Sequence, residues 1–208
     1  MNLEEFVRIF GKPYSEILGI NLKFGKDEEI VKWFLASILY SKPIRESSAT
    51  KTYFCFLKHG VTNAKKILQT GWQGLVDILD EGGYTRYDFS TADKLLEVFG
   101  NLEKVYGGSL NRLHELAKDS KDLEKKLKLL GKGIGDVTVS VFLREMRDVW
   151  RKADPEPSPL VKLAMKKLKI KDLKEFAKRK KLNLVWLETA LVRYAKEFLR
   201  KGKKLEIV

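Results

Sequence analysis

The chain has 208 residues, a formal net charge of +13 and a single cysteine. One cysteine excludes an intramolecular disulfide and a cysteine-rich metal site, and Cys55, within the apolar run 53–57, is expected to fill the core. No apolar run approaches the roughly 20 residues that cross a bilayer. No leader pattern is present either, so we expect a soluble, cytoplasmic protein without a membrane partner.

The positive charge is concentrated towards the C-terminus. Between Lys162 and Lys204 the sequence has 16 Lys and Arg against four acids, a net charge of +12. A localised basic surface is typical of proteins that bind polyanions, because affinity for a duplex comes largely from phosphate neutralisation. The alternative is the lysine-rich, solvated surface of a thermophile protein, which the presence of only two glutamines also suggests. Charge alone favours nucleic acid.

Apolar residues recur at three- and four-residue spacing along almost the whole chain, which predicts helices and no strand. Glycines fall at the expected helix ends, and Ser90, Ser109 and Ser158 are predicted N-caps. The predicted fold class is therefore all-α. In chain order, the predicted helices span 3–10, 28–40, 45–58, 63–69, 72–80, 90–105, 109–117, 121–130, 137–149, 159–168, 172–180 and 184–200.

Three prolines at alternate positions interrupt this pattern in residues 154–159. Each proline disfavours helix in the residue before it, so we expect an extended segment of about six residues. Asp154 and Glu156 lie on this segment.

The most informative stretch is 129–146, LLGKGIGDVTVSVFLREM. An apolar run ends at Gly131, a Gly-Ile-Gly turn follows, and a second helical pattern begins at once. Glycines let the backbone approach an anion, and the free N–H groups at the start of a helix point at it. The predicted phosphate contacts are Lys132, Gly133, Gly135, Asp136 and Thr138.

This stretch resembles the helix-hairpin-helix element of the endonuclease III-like DNA glycosylases (the HhH-GPD superfamily). The order of bundle, hairpin, helix, carboxylate-bearing segment and helix is also similar, and the resemblance covers roughly residues 28–168. It implies two helical lobes. The first is a barrel-like bundle of six helices in 28–130; the second combines 1–27 with 131–208 and holds the hairpin (131–136) and the basic C-terminal helices.

Two further segments resemble loops of that family. Residues 38–43 match the stretch where a polar side chain fills the hole left by an extruded base, and Lys42 falls at that position. Residues 81–87 match the loop where an apolar wedge precedes a tyrosine. The resemblance implies that Lys42, Tyr84 and Arg86 enter or stack in the gap of a kinked duplex. The alternative is an ordinary turn with half-buried tyrosines.

The resemblance implies hydrolysis of the N-glycosidic bond of a damaged base, which needs a carboxylate near the sugar. The family's lyase members have a lysine two residues after the second hairpin glycine. Here that residue is Val137, so lyase chemistry by this route is not expected. The family's aspartate position is Pro157 or Ser158, and the nearest acids, Asp154 and Glu156, lie 17 and 19 residues after Val137.

Two interpretations of these acids stay open. In the first, the rigid segment presents Asp154, which we prefer, or Glu156 to the sugar in a monofunctional, water-using glycosylase. In the second, the protein binds DNA damage or DNA structure without catalysis. A third interpretation is a helical protein-interaction domain with a lysine-rich surface.

The family's iron–sulfur cluster needs four cysteines, which this chain lacks. His59 and His114 have no ligand-like spacing, so no metal site is predicted. The resemblance allows for a structural monovalent cation at the hairpin carbonyls. The expected partner is double-stranded DNA, the expected state is a monomer, and the expected location in a prokaryote is the nucleoid.

Overall fold

The computed structural model describes residues 1–203 and 205–207. These residues form helices joined by short turns and contain no strand, which confirms the all-α prediction. The α-helices of the described residues are α1 Leu3–Phe10, α2 Tyr14–Ile17, α3 Asp27–Tyr40, α4 Glu46–Lys58, α5 Ala64–Glu81, α6 Asp88–Tyr106, α7 Leu110–Leu116, α8 Ser120–Lys128, α9 Asp136–Met146, α10 Pro159–Lys167, α11 Leu173–Arg179 and α12 Leu184–Glu197, followed by a 3-10 turn at Leu199–Lys201.

Capping residues explain several helix starts. The hydroxyl groups of Ser109 and Ser158 each accept a backbone N–H from the first turn of their helix, as predicted. The predicted N-cap at Ser90 was wrong, because α6 begins two residues earlier, at Asp88. Ser90 instead donates its hydroxyl to the Tyr87 carbonyl from within the first turn.

The chain divides into two compact units. The hairpin unit is Leu18–Pro155, and the terminal unit combines Met1–Ile17 with Glu156–Val208. These boundaries differ from the predicted ones at 27/28 and 130/131. The glycine turn and α9 belong with the helical bundle rather than with the C-terminal helices, because α9 packs on α3.

Helix α3 is the centre of the hairpin unit, and its eight residues from Trp33 to Tyr40, together with Ile30 and Val31, are all buried. The indole N–H of Trp33 donates to the Phe142 carbonyl of α9 at 3.1 Å. The ring of Phe34 packs against Phe142 at 5.0 Å between centroids. Each such buried side chain stabilises the fold by roughly 1.5–3 kcal/mol. Helix α9 is therefore held to α3 from inside the core.

The terminal unit is built around α12, which packs against α1, α10 and α11. Its core includes Phe6, Val161, Leu187 and Tyr194. All ten Lys and Arg residues between positions 162 and 181 are exposed. This surface carries most of the positive charge that the sequence concentrates at this end of the chain.

Candidate nucleic-acid interface

A short glycine turn, residues 129–135, joins α8 to α9. Leu130 and Ile134 are buried and root the turn in the hairpin unit. The Ile134 amide donates to the Gly131 carbonyl at 3.1 Å, which closes a four-residue turn. Gly133, the third residue of that turn, has φ +89°, a value that a type II turn requires and that favours glycine. Local sequence thus dictates the shape of the turn.

The turn is also fixed to α6. The Asn101 side-chain amide donates to the Leu130 carbonyl at 2.8 Å. A Cβ at Gly131 would lie 2.6 Å from Cγ2 of Val98, so only glycine allows this approach. The turn therefore has a defined position as well as a defined shape.

The outer face of the turn is open to solvent. Lys132, Gly133, Gly135 and Asp136 are exposed. Gly135 is the N-cap of α9 and offers no side chain, so no cap side chain accepts from the first-turn amides of this helix. Helix dipole and free amides together favour an anion here.

The predicted phosphate contacts around the start of α9 differ in exposure and in side-chain partners. The Asp136 carboxylate pairs with Lys128 at 2.5 Å, so its contribution to an anion site is its backbone amide rather than its side chain. The Thr138 side chain is buried, so the part of Thr138 that remains available to an anion is its first-turn backbone amide. Val137, at the family's lysine position, is 56% exposed.

The second predicted loop contributes differently from the expectation. Tyr84 is 1% exposed, and its hydroxyl donates to the Leu39 carbonyl at the end of α3, so it is a core residue and not a stacking residue. Tyr87 is the half-buried aromatic of this loop. The Lys42 ammonium lies 5.2 Å and the Arg86 guanidinium 5.6 Å from its ring centroid. The structure thus brings Lys42 and Arg86 together, as predicted, but around Tyr87.

Sequence reasoning missed Lys94 on α6. This lysine is 9% exposed, and its side chain lies against Gly133 of the turn. Burial and the neighbouring Lys42 lower the pKa of Lys94 to about 8. Its helical spacing could have predicted this burial, because Lys94 comes three residues after Thr91 and four before Val98, both of which are buried. We call Lys42, Arg86, Lys94 and Lys132 the hairpin cations.

The two candidate carboxylates fall in different units. Asp154 belongs to the hairpin unit, where its carboxylate accepts from the Arg147 guanidinium at 2.7 Å. Arg147 also donates to the Pro155 carbonyl at 2.8 Å and so fixes the extended segment. Glu156 is exposed and belongs to the terminal unit. Residues 153–158 lie outside any helix or turn, and Ser158 has extended backbone angles.

Both histidine rings contact other side chains. The His59 ring forms a hydrogen bond with Glu81 at 2.6 Å, and the His114 ring stacks on Trp150 at 4.7 Å. In residues 1–203 and 205–207 no group of three or more His, Cys, Asp or Glu is close enough to hold a metal ion. Over the same residues no helix has both the length and the apolar character that a membrane crossing requires.

No protein-family model, no curated protein and no solved structure matches this chain. The resemblance to helix-hairpin-helix glycosylases therefore rests on the residues quoted above.

Proposed function

We propose that this protein binds duplex DNA through the glycine turn between α8 and α9. The observation that carries the proposal is the exposed start of α9 without a side-chain cap, with Lys94 against Gly133 and Lys128 paired with Asp136. A phosphate at this position accepts backbone N–H groups and meets the positive end of the helix dipole. Lys132 lies on the exposed face of the same turn.

Charge supports the same partner. The chain has a net charge of +13, and the ten cations between 162 and 181 are exposed. Neutralised phosphates release counterions, so affinity must fall steeply as salt rises. A protein-interaction domain with a merely lysine-rich surface lacks this dependence on a polyanion.

We further propose that the bound duplex is damaged and that an extruded nucleotide is the substrate. Asp154 is the candidate carboxylate, because it shares the hairpin unit with the turn and is 45% exposed. An ionised carboxylate stabilises positive charge on the sugar as the C1′–N bond breaks. Water then adds to C1′, its oxygen forms the new bond, and the departing base takes up the proton.

The second candidate function is binding of damaged DNA without catalysis. The Arg147–Asp154 ion pair favours it, since the guanidinium already neutralises the carboxylate that the reaction needs. Val137 adds no amine nucleophile.

Binding is tested at Gly135, because a side chain there meets open space and its φ of −105° suits any residue. Gly135→Asp caps α9 and places a negative charge where the phosphate lies, whereas Gly135→Asn has the same shape without the charge. We expect both variants to be at least as stable as the wild type. We expect the Asp variant to bind an abasic-analogue duplex at least tenfold more weakly than the Asn variant. Equal affinities overturn the proposed contact.

Catalysis is tested with duplexes that carry uracil, 8-oxoguanine, hypoxanthine or alkylated purines, scored for abasic sites after hot alkali. Base release that Asp154→Asn abolishes supports the glycosylase. Release that persists in both Asp154→Asn and Glu156→Gln shows that neither carboxylate acts. Tight binding of a lesion duplex with no release supports the non-catalytic function.

A further inference from the structure

Lys94 lies on the buried face of α6, which is an unusual position for a charged side chain. Thr91 and Val98, one turn to either side of it, are completely buried. A buried ammonium is costly unless a carboxylate or another acceptor compensates it. After burial, the neighbour that lowers the pKa of Lys94 is a second lysine, Lys42.

The glycine turn is the third member of this arrangement. A Cβ at Gly133 would lie 2.7 Å from Cε and 3.1 Å from Nζ of Lys94, so the ammonium is directly against the turn. Lys42 approaches Lys94 from the segment between α3 and α4, with its Nζ over the ring of Tyr87. Two amines from distant parts of the chain thus meet beside the exposed turn.

Two ammonium groups cannot donate hydrogen bonds to each other, since neither has a lone pair. Their charges therefore repel each other, and this repulsion adds to burial in lowering the pKa of Lys94. An oxyanion between the two nitrogen atoms removes the conflict, because it accepts from both and lets both remain charged.

We propose that Lys42 and Lys94, held together beside Gly133, bind one phosphate group of the DNA backbone. The proposal rests on the proposed function and deepens it, since it names a contact that converges from α6 and the α3–α4 segment onto the turn. Phosphate binding then requires Lys94 to take up a proton. Affinity is therefore linked to pH.

Other charged groups lie near Lys94 on its own helix, in the turn and beside Tyr87. On its own helix, Asp93 accepts from the Trp72 indole at 2.9 Å, and the Glu97 side chain lies against Gly131. Lys132 is next to Gly133 in the turn, and Arg86 lies over Tyr87.

The test is calorimetric titration of the full chain with an abasic-analogue duplex at pH 8, in two buffers of different ionisation enthalpy. We expect the wild type to take up a substantial fraction of one proton on binding. From pH 7 to pH 9 the affinity should fall about tenfold, because the free protein loses the Lys94 proton over this range and the complex keeps it.

Lys94→Met removes the amine but keeps the length of the side chain. It should abolish the proton uptake and flatten the pH dependence, and it should weaken binding at pH 7 about tenfold or more. Lys104→Met is the matched control, since Lys104 is an exposed lysine on the same helix. It should keep both the proton uptake and the pH dependence.

Because proton uptake is measured on the wild type, the test stands even where Lys94→Met fails to fold. Duplex binding without proton uptake overturns the two-lysine site and leaves the proposed function intact. Proton uptake that persists in a folded Lys94→Met variant also overturns the site. Absence of duplex binding overturns the site and the proposed function together.

Discussion

Two glycine turns of the hairpin unit, both predicted to face DNA, differ in what their glycines do. In the turn 82–83, a Cβ at Gly82 would lie 2.5 Å from the Cα atom of Thr52, so this glycine permits close packing of backbone on backbone. In the turn 129–135, a Cβ at Gly135 meets nothing within 4 Å. Tyr84, which follows the first turn, is buried, whereas Lys132 in the second is exposed.

The difference teaches that a glycine in a turn can serve either close packing or access of a ligand to the backbone, even where the sequence around it resembles a DNA-contacting loop. The direction of the missing Cβ decides between the two. At Gly82 that direction is filled by a neighbouring helix, and at Gly135 it meets no atom within 4 Å. We therefore expect a substitution at Gly82 to change stability and a substitution at Gly135 to change binding.

The largest effect is expected for Gly82→Ala. Because the new methyl group collides with the backbone of α4, the free energy of unfolding should fall by about 3 kcal/mol in a urea titration. Gly135→Ala is the control and should change it by less than about 1 kcal/mol, the typical cost of alanine at an N-cap. Equal losses would remove the distinction between the two turns.

Tyr84→Phe should have the next largest effect. The change leaves the Leu39 carbonyl at the end of α3 without the donor it has at 2.6 Å, at a cost of about 1–2 kcal/mol of unfolding free energy. Affinity for DNA should not change. Tyr87→Phe, at a half-buried position, should be close to neutral in stability. A Tyr84→Phe variant that keeps its stability but binds DNA less tightly would contradict the assignment of Tyr84 to the core.

Lys132→Ala should affect binding without affecting stability. The loss of one phosphate contact lowers the slope of log affinity against log salt by about 0.9 and weakens binding a few-fold at moderate salt. Lys121→Ala, an exposed lysine on α8 away from the turn, is the comparison. Identical salt slopes for the two variants would show that Lys132 makes no phosphate contact.

The smallest effect is expected in acid, next to the structural turn. Hydrogen bonds from Lys58 and then His59 lower the pKa of Glu81, the residue before Gly82, to about 2. A carboxyl with a lowered pKa stabilises the folded state above its ordinary value, and this contribution is lost as pH falls from about 4.5 to 2. The decrease in Tm over this range should be slightly smaller in Glu81→Gln. A larger decrease in that variant would contradict the ion pair.

Periodicity and capping predicted the helices well, because both are local properties. The predicted helices 63–69 and 72–80 are present as one element, α5, with a break at Gly71, where φ is +67°. Ser109 and Ser158 cap as expected. The start of α6 was misplaced by two residues, since Asp88 begins the helix before Ser90.

The candidate site was predicted only where its residues are adjacent in sequence. The glycine turn and the exposed Lys132 follow from local pattern. The approach of Lys42 to Lys94, and the contact of Lys94 with Gly133, depend on how α3, α6 and α9 pack, which no short spacing encodes. The burial of Tyr84 likewise depends on tertiary packing, because its hydroxyl donates to the Leu39 carbonyl near the end of α3.

The buried anchors of the glycine turn have a consequence for the kinetics of association. Leu130 and Ile134 are buried in the core. Asn101 of α6 donates a hydrogen bond to the Leu130 carbonyl and so fixes the turn to that helix. A surface that is ordered before contact loses little conformational entropy when a partner arrives. Encounter then requires no loop rearrangement, so variants of this surface should differ in how long the complex lasts far more than in how fast it forms.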